Sequence, residues 1–481
     1  MKIKSAAGIL AAIGLGCLAL VPQCISAPPV FAATSPASLQ VVVSPGEISL
    51  PEGRAVSVAA QTLQFDSPEL RDFEIAESNA PADYQPFWDT WDPWPGVGKP
   101  LKFSPPRQDA TPILGGLYRA FREDTLVVTS ADGSKIYRNR EDFRFNADWG
   151  LLANMGGHMT GKITAKIRGA LQRLDLVQVS GEGKLSVKKG KSVLVCPDLP
   201  GADAGCVPLA GIYIAAWPAA RNPHFDATPD ALKGVPDYAI TDREIFPIGG
   251  EEPVAPVNAK ALAGTLAKLR KPGSTVKIAF MGDSITLGAE STQWFREQQY
   301  DKDDATYRGR LVYALRQRFP KAAIEPIAAY KGAATIKLAT SQIDGILADN
   351  KPDLVIVAFG ANDVHGPVGG APMTPVDDFA AQLSAITRKS RAAGAEVMLV
   401  ATFPLNPWIK CGMAQRQPVY NARMRQVAEE DGAAFADVHS AFGQLAKRGI
   451  PPWSALHNWI NHPGDLGHGV YADLLLRFFP E

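Results

Sequence analysis

The stretch Phe280-Met281-Gly282-Asp283-Ser284-Ile285-Thr286 decides the fold of the second half of the chain. The apolar run at 276–281 predicts a buried strand that ends at Gly282. A serine just past such a strand lies outside the carboxyl end of a parallel sheet, where open α/β folds hold their reactive groups. Taken alone, Gly282-Asp283-Ser284 is more typical of a turn that caps the next helix, so the surrounding sequence must decide between these two interpretations.

Strand and helix patterns alternate from Asn258 to the end of the chain. Apolar runs predict further strands at 322–329, 353–359, 397–401 and 433–436. Helical spacing and capping signals predict helices at 258–270, 306–319, 335–347, 374–393 and 416–431. Alternation of this kind predicts an α/β domain over residues 259–481, a three-layer α/β/α arrangement with a parallel sheet covered on both faces.

The region 34–250 has a different pattern, with many short strands separated by turn residues. One hairpin is predicted around Ala131-Asp132-Gly133-Ser134, and a second is predicted between the stretches 185–187 and 193–195. This spacing predicts a β-sandwich-like N-terminal domain. Proline and glycine crowd the segment after it, and residues 251–258 are interpreted as the linker to the α/β domain.

The first 32 residues are interpreted as a signal peptide. Lys2 and Lys4 precede an apolar stretch at 6–21, and small residues follow near a predicted cleavage after Ala32. The stretch is short for a membrane span and Pro22 interrupts it, so we expect no transmembrane segment in the mature chain. The expected location is therefore secreted or periplasmic.

Cysteine content agrees with export. After the signal peptide only Cys196, Cys206 and Cys411 remain. Cys196 and Cys206 flank a loop that a disulfide could close, whereas two free thiols there would be less typical of an exported protein. Cys411 would then be a small buried side chain.

Overall charge excludes one class of partner. The chain has 481 residues, with 49 basic and 49 acidic side chains, and no basic block or stripe. We therefore expect no nucleic-acid partner. His457, His462 and His468 are close in sequence, but their spacing matches no metal motif, so neither a metal nor an organic cofactor is predicted.

Four short blocks fall just after predicted strands or near the end of the chain. They are Gly282-Asp283-Ser284, Tyr330-Lys331-Gly332-Ala333, Gly360-Ala361-Asn362-Asp363 and 461–468 around His462. In this order they resemble the blocks of the SGNH (GDSL-type) hydrolase family, which contribute Ser, Gly, Asn and His. The resemblance covers about residues 259–481, and it implies an esterase. The G-x-S-x-G motif of the α/β-hydrolases is absent.

The chemistry of these residues supports ester hydrolysis. A serine hydroxyl needs a base to become a nucleophile, and histidine can take and return its proton, so Ser284 and His462 are the predicted catalytic pair. Attack on an ester creates an oxyanion. The predicted donors to it are the backbone N–H groups of Ser284 and Gly332 and the side-chain amide of Asn362.

The third member of a triad is open. Members of the family usually carry an Asp three residues before the His, but Trp459 stands at that position. His462 could be oriented by a backbone carbonyl, by Asn458 or by a distant acid such as Asp437. We expect Asp465 to cap the terminal helix and Asp283 to support the turn around Ser284.

The sequence thus predicts an exported serine ester hydrolase that acts through an acyl-serine intermediate. The resemblance makes a small-acyl ester or an acetylated glycan the expected substrate. Two alternatives remain open: an O-acyltransferase that uses the same site, and a catalytically inactive glycan-binding protein, which the absence of the usual Asp would favour.

Overall fold

The structure is a computed structural model that describes residues 28–33, 39–84, 101–102, 120–146, 150–215, 245–291, 305–366, 370–405, 413–457 and 461–481. Most of the predicted signal peptide, Cys411, Asn458 and Trp459 lie outside the described residues. No helix among the described residues is long and apolar enough to cross a membrane. The signal peptide stays a prediction. Phe31–Ala33 forms a strand, so a cut after Ala32 would remove two of its residues.

Antiparallel strands make up the first half of the described chain. The strands are β1 (Phe31–Ala33), β2 (Gln40–Val43), β3 (Gly46–Ser49), β4 (Ala55–Val58), β5 (Gln61–Gln64), β6 (Leu70–Asn79), β7 (Leu101–Lys102), β8 (Phe121–Ser130), β9 (Ile136–Tyr137), β10 (Phe143–Asn146), β11 (Leu151–Asn154), β12 (Lys162–Ala170), β13 (Arg173–Ser180), β14 (Leu185–Lys188), β15 (Cys206–Ile214) and β16 (Ile245–Pro247). Their pairing orders are β1-β2-β5, β3-β4, β10-β11-β7, β6-β12-β8-β9 and β14-β13-β15-β16.

Alternating side chains bury one face of several of these strands. In β2 and β4 every second residue is buried, and Val43 and Val58 belong to the same apolar cluster as Val177 and Val179 of β13. Strands with this period of two pack one face inward and leave the other to solvent. The antiparallel β class predicted for the first region is confirmed.

One predicted hairpin is correct and the other is wrong. Strands β8 and β9 pair through Val128 and Tyr137, as expected. The stretch 185–187 instead pairs with β13, and Val193 pairs with Gln172. The reason lies in a long-range contact, since the buried carboxylate of Asp175 accepts the backbone N–H of Gly190 (2.8 Å) and holds the intervening turn against β13.

The predicted cysteine bridge is also absent. Cys196 and Cys206 are free thiols. Cys206 opens β15, where it pairs with Ser180 of β13, whereas the Cys196 thiol points toward Gly464 in the second half of the chain. Two side chains committed to different neighbours cannot reach the short Cβ–Cβ distance that a disulfide needs.

The second half has a parallel sheet with helices around it. Its strands are β17 (Thr275–Gly282), β18 (Ala323–Tyr330), β19 (Leu354–Ala358), β20 (Glu396–Val400) and β21 (Ala434–Ala436), paired in the order β18-β17-β19-β20-β21. The helices are α1 (Ala263–Arg270), α2 (Ser284–Leu287), α3 (Tyr307–Arg318), α4 (Ile336–Asn350), α5 (Val376–Ala392), α6 (Met413–Asp431), α7 (Val438–Gly443) and α8 (Asp465–Leu476). The predicted α/β class is confirmed.

Strand register brings the loops that carry the motif blocks to one edge of this sheet. Gly282, the last residue of β17, lies opposite Tyr330 of β18 on one side and Ala358 of β19 on the other. The three strands therefore end level with one another. The strand order reverses at β17, and in open α/β sheets ligands bind in the crevice at such a reversal.

The two halves share one core. A single cluster of buried apolar side chains includes Phe246 of β16 as well as the strands of the parallel sheet. Phe246 packs edge-to-face on Trp453, with ring centroids 5.7 Å apart. The predicted linker is fixed to the second half, since Val257 pairs with Phe435. The domain boundaries themselves stay predictions, but the halves are joined by packing as well as by the chain.

The backbone of β15 touches the second half at Gly211. A Cβ atom added there would lie 1.9 Å from the carbonyl oxygen of Gly449. We expect Gly211→Ala to lower the free energy of unfolding by about 1–3 kcal/mol, because backbone atoms cannot move aside as a side chain can. Chemical denaturation followed by circular dichroism measures this.

Gly201→Ala is the matched control, since nothing lies within 4 Å of a Cβ atom added there. It should change the stability by less than about 0.5 kcal/mol. Equal stability of the two variants would mean that β15 and Gly449 do not meet as closely as described.

Candidate active site

Ser284 opens the short helix α2 directly after β17. Asp283 caps this helix, and its Oδ1 accepts the backbone N–H of Ile285 (2.9 Å). Gly282 is required by close packing, because a Cβ atom there would lie 1.9 Å from Thr286 Oγ1. The cap and the tight turn fix Ser284 at the end of the strand. The residue is partly exposed.

His462 lies within hydrogen-bond distance of that serine. Its Nε2 is 2.8 Å from Ser284 Oγ, although the two residues are 178 positions apart in sequence. The backbone around His462 is held by short-range pairing: the His462 carbonyl accepts the N–H of His457 (2.8 Å), and the N–H of Gly464 donates to Ala455 (2.8 Å). The structure therefore brings the predicted nucleophile and base together.

Asn362 and the Gly332 loop meet at the same edge. The side-chain amide of Asn362 donates to the Ala334 carbonyl (3.0 Å), and the backbone N–H of Lys331 donates to the Gly282 carbonyl (3.2 Å). These contacts tie the loops after β18 and β19 to the end of β17. A Cβ atom at Gly332 would meet only Leu287 at 3.9 Å, so the space above this glycine is open.

Asp363 supports this arrangement, and sequence reasoning assigned it no role. Its carboxylate accepts the backbone N–H of Ile336 at 3.1 Å, which joins the Asn362 loop to the first residue of α4. The side chain is buried, and burial raises its pKa. The only sequence signal for it was its position, directly after Asn362 at the end of a buried strand.

Burial shifts the protonation of the central groups. Removal from water lowers the pKa of His462 to about 4, and the nearby charge of His457 lowers it further in the same direction. The imidazole is therefore neutral at ordinary pH, with a nitrogen able to accept a proton. Burial also raises the pKa of Asp283 to about 7, and the charge of Asp363 adds to this effect.

The remaining acids and histidines have other contacts. Asp437 caps α7 by accepting the N–H of Ser440 (3.0 Å). Asp283 supports the Ser284 turn, as expected. Asp465 is the first residue of α8, and Gly464 occupies the cap position where Asp465 was expected. His468 accepts the N–H of Tyr307 at 3.3 Å and is structural, as expected. Residues 458–460 lie outside the described residues, so the third member of the triad stays open.

No group of three or more His, Cys, Asp or Glu side chains within the described ranges is arranged to hold a metal ion. Catalysis without a metal or organic cofactor stays a prediction from the sequence.

Comparisons with known proteins identify the second half. Residues 280–470 match the profile of the GDSL-like Lipase/Acylhydrolase family. An acetylxylan esterase of Geobacillus stearothermophilus is 25% identical over 213 residues, which cover 43% of this chain and 95% of that protein.

Solved structures include two similar proteins. The acetylxylan esterase structure from Geobacillus stearothermophilus is 22% identical with a TM-score of 0.36, covering 44% of this chain and 96% of its own. An alpha/beta hydrolase enzyme from the metagenome of Lake Arreo, Spain, is 22% identical with a TM-score of 0.37, covering 44% of this chain and 97% of its own.

The matched range begins in β17, ends in α8 and contains all four motif blocks. It leaves the antiparallel half unassigned. Residues 280–470 are thus a GDSL-like lipase/acylhydrolase domain, which confirms the predicted SGNH (GDSL-type) resemblance and makes the protein a carboxylic ester hydrolase.

Proposed function

We propose that the protein is a serine esterase that removes small acyl groups, acetyl above all, from carbohydrate. The observation that carries the proposal is the 2.8 Å separation of His462 Nε2 and Ser284 Oγ at the carboxyl edge of the parallel sheet. A nucleophile and a base in this contact are the minimal machinery of acyl transfer through serine.

The first half of the reaction acylates the serine. As Ser284 Oγ attacks the ester carbon, His462 Nε2 takes the hydroxyl proton, and the carbonyl oxygen becomes an oxyanion. His462 then gives that proton to the departing sugar oxygen, the ester C–O bond breaks, and acyl-Ser284 remains. The lowered pKa of His462 leaves it unprotonated before the attack, which the role of base requires.

Water completes the reaction in the second half. His462 takes a proton from water as the water oxygen attacks the acyl carbon, and a second oxyanion forms. The bond to Ser284 Oγ breaks, the serine recovers its proton from His462, and the carboxylic acid leaves. The site is thereby restored for the next ester.

We assign three donors to the oxyanion. As the first residue of α2, Ser284 has a backbone N–H with no acceptor inside its own helix. Gly332 would supply a second N–H, and the open space where a side chain would stand leaves room for substrate to approach the backbone. Asn362 supplies two amide hydrogens, and its contact with Ala334 uses one of them, which both orients the group and leaves the other for substrate.

The substrate class rests on the acetylxylan esterase relative and on the predicted export. Residues 1–32 support export, which recovery of the protein from periplasm or culture medium would test. Retention of Ser284, Gly332, Asn362 and His462 in one place argues against an inactive glycan-binding protein.

Loss of either member of the pair should abolish hydrolysis. We expect Ser284→Ala and His462→Ala to lower kcat on acetylated xylo-oligosaccharides or nitrophenyl acetate by about 10⁴-fold or more, to the residual that binding and the oxyanion donors supply. Ser341→Ala, on the exposed face of α4, is the control and should retain full activity. An active Ser284→Ala enzyme would refute the acyl-serine mechanism.

Asn362 is tested by a pair of variants. Asn362→Ala should lower kcat by about 10²–10³-fold with a smaller effect on KM, because the lost hydrogen bond is strongest in the transition state. Asn362→Asp keeps the size but loses both donors, so it should be at least as impaired. Activity retained in Asn362→Asp would show that size, and not donation, is what Asn362 contributes.

The pH profile follows from the pKa of His462. Only the neutral imidazole can accept the serine proton, and its lowered pKa keeps it neutral to lower pH. We therefore expect kcat/KM on a nitrophenyl ester to hold its plateau down through pH 6 and to fall with a midpoint near pH 4. Circular dichroism at each pH controls for unfolding.

A midpoint near 7 would contradict this expectation. If Asp283→Asn then removed that step, the step would belong to Asp283, whose pKa burial raises to about 7.

A further inference from the structure

The antiparallel half reaches the active site through what we name the Cys196 loop, residues 193–199. A Cβ atom added at Gly464 would lie 2.9 Å from Cys196 Sγ, closer than side chains pack. The thiol therefore rests directly on Gly464, which follows His462 by two residues. In this way a side chain from the first half contacts the backbone that carries the base.

The Cys196 loop is held from behind by buried hydrogen bonds. Gln172 is fully buried; its amide donates to the Leu194 carbonyl (2.6 Å), and its backbone pairs with Val193 in both directions at 2.8 Å. The Tyr213 hydroxyl donates to the side-chain oxygen of Gln172 (2.8 Å), so the amide is satisfied at both ends. Buried, fully satisfied networks of this kind are rigid.

The segment on the other side of the contact is the histidine hairpin, defined as residues 455–457 and 461–464. Within these residues, backbone pairing joins Ala455, Leu456 and His457 to His462, Pro463 and Gly464. Trp453 lies just before it and packs on Phe246 of β16. The first half thus contacts the chain just before the hairpin, at Trp453, and the last residue of the hairpin, Gly464.

We propose that the Cys196 loop positions His462 for catalysis, with Cys196 acting through Gly464 as a positioning residue. This rests on the proposed function, since it assumes that His462 is the base. The antiparallel half is then part of the catalytic unit, in addition to any contact it makes with substrate. A base displaced by about 1 Å can cost on the order of 100-fold in rate.

Cys196 is suited to packing against a backbone. Burial raises the pKa of its thiol, so it stays protonated and behaves as a small apolar side chain. Gly464 has φ −79° and ψ −171°, an extended conformation that alanine also adopts. Alanine at Gly464 therefore meets one obstacle, the sulfur of Cys196, and the other neighbours of its Cβ atom lie at 3.7 Å.

The experiment is a double-mutant cycle in the full-length protein. Gly464→Ala should lower kcat on nitrophenyl acetate by about tenfold or more with KM little changed, because the hairpin must shift away from Cys196. Cys196→Ala removes the sulfur that supports Gly464, so it should lower kcat by about fivefold or more, again with KM little changed. The double variant should recover to within about threefold of wild type, since the methyl group at residue 464 fills the space that the sulfur leaves.

Gly169→Ala is the control for general destabilisation. A Cβ atom there would lie 2.6 Å from the ring of Phe73, within the first half and away from the histidine hairpin. It should lower the melting temperature without lowering kcat. A merely structural role for Cys196 would make Gly464→Ala behave like this control.

Four results would overturn the proposal: wild-type kcat in Gly464→Ala, wild-type kcat in Cys196→Ala, a loss in Gly464→Ala that Cys196→Ala does not rescue, or an equal loss of kcat in Gly169→Ala. Should Gly464→Ala fail to fold, Cys196→Met is the substitute, because its larger but flexible side chain would push against Gly464 from the Cys196 loop. Wild-type kcat in Cys196→Met would overturn the proposal. Activity surviving in Ser284→Ala would instead refute the proposed function itself, so the two failures are distinct.

Discussion

The contact between His462 Nε2 and Ser284 Oγ depends on holding two distant loops within 2.8 Å of each other. Loop ends that are far apart in sequence do not meet unless packing fixes both. Ser284 is fixed from below, by the Asp283 cap and the close approach of Gly282 to Thr286. His462 has no strand of its own, and its position comes from the histidine hairpin and from what packs against it.

Burial gives this contact its chemistry. A histidine in water is partly protonated near neutral pH and then cannot accept a proton, whereas the buried His462 is neutral because its pKa lies near 4. The same loss of water favours the protonated form of Asp283, so the site carries less negative charge near the oxyanion of the proposed mechanism. One physical cause, desolvation, therefore sets the protonation of both His462 and Asp283 in the way that the proposed mechanism requires.

Sequence reasoning succeeded where structure is local and periodic. The apolar runs that became β17 and β19 are buried on both faces, and the motif residues follow directly from where those strands end. It failed where a distant partner decides. Nothing in the stretch 185–195 reveals that Asp175 holds Gly190, so a hairpin was predicted that does not form. The position of the Cys196 thiol could not be predicted for the same reason, because the thiol packs against Gly464, a residue of the other half.

Because the two halves share one core, the second half depends on the antiparallel half for its stability. A chain cut near Asn258 would keep every residue of the motif blocks, yet it would uncover Trp453, which is 2% exposed in the whole protein. It would also leave the histidine hairpin without the Cys196 loop behind it. Exposed apolar surface costs about 25 cal/mol per Å², so such a chain loses stability beside the base before any contact with substrate is considered. The sequence separates the two halves by pattern, while the packing joins them at the residue on which the proposed chemistry depends.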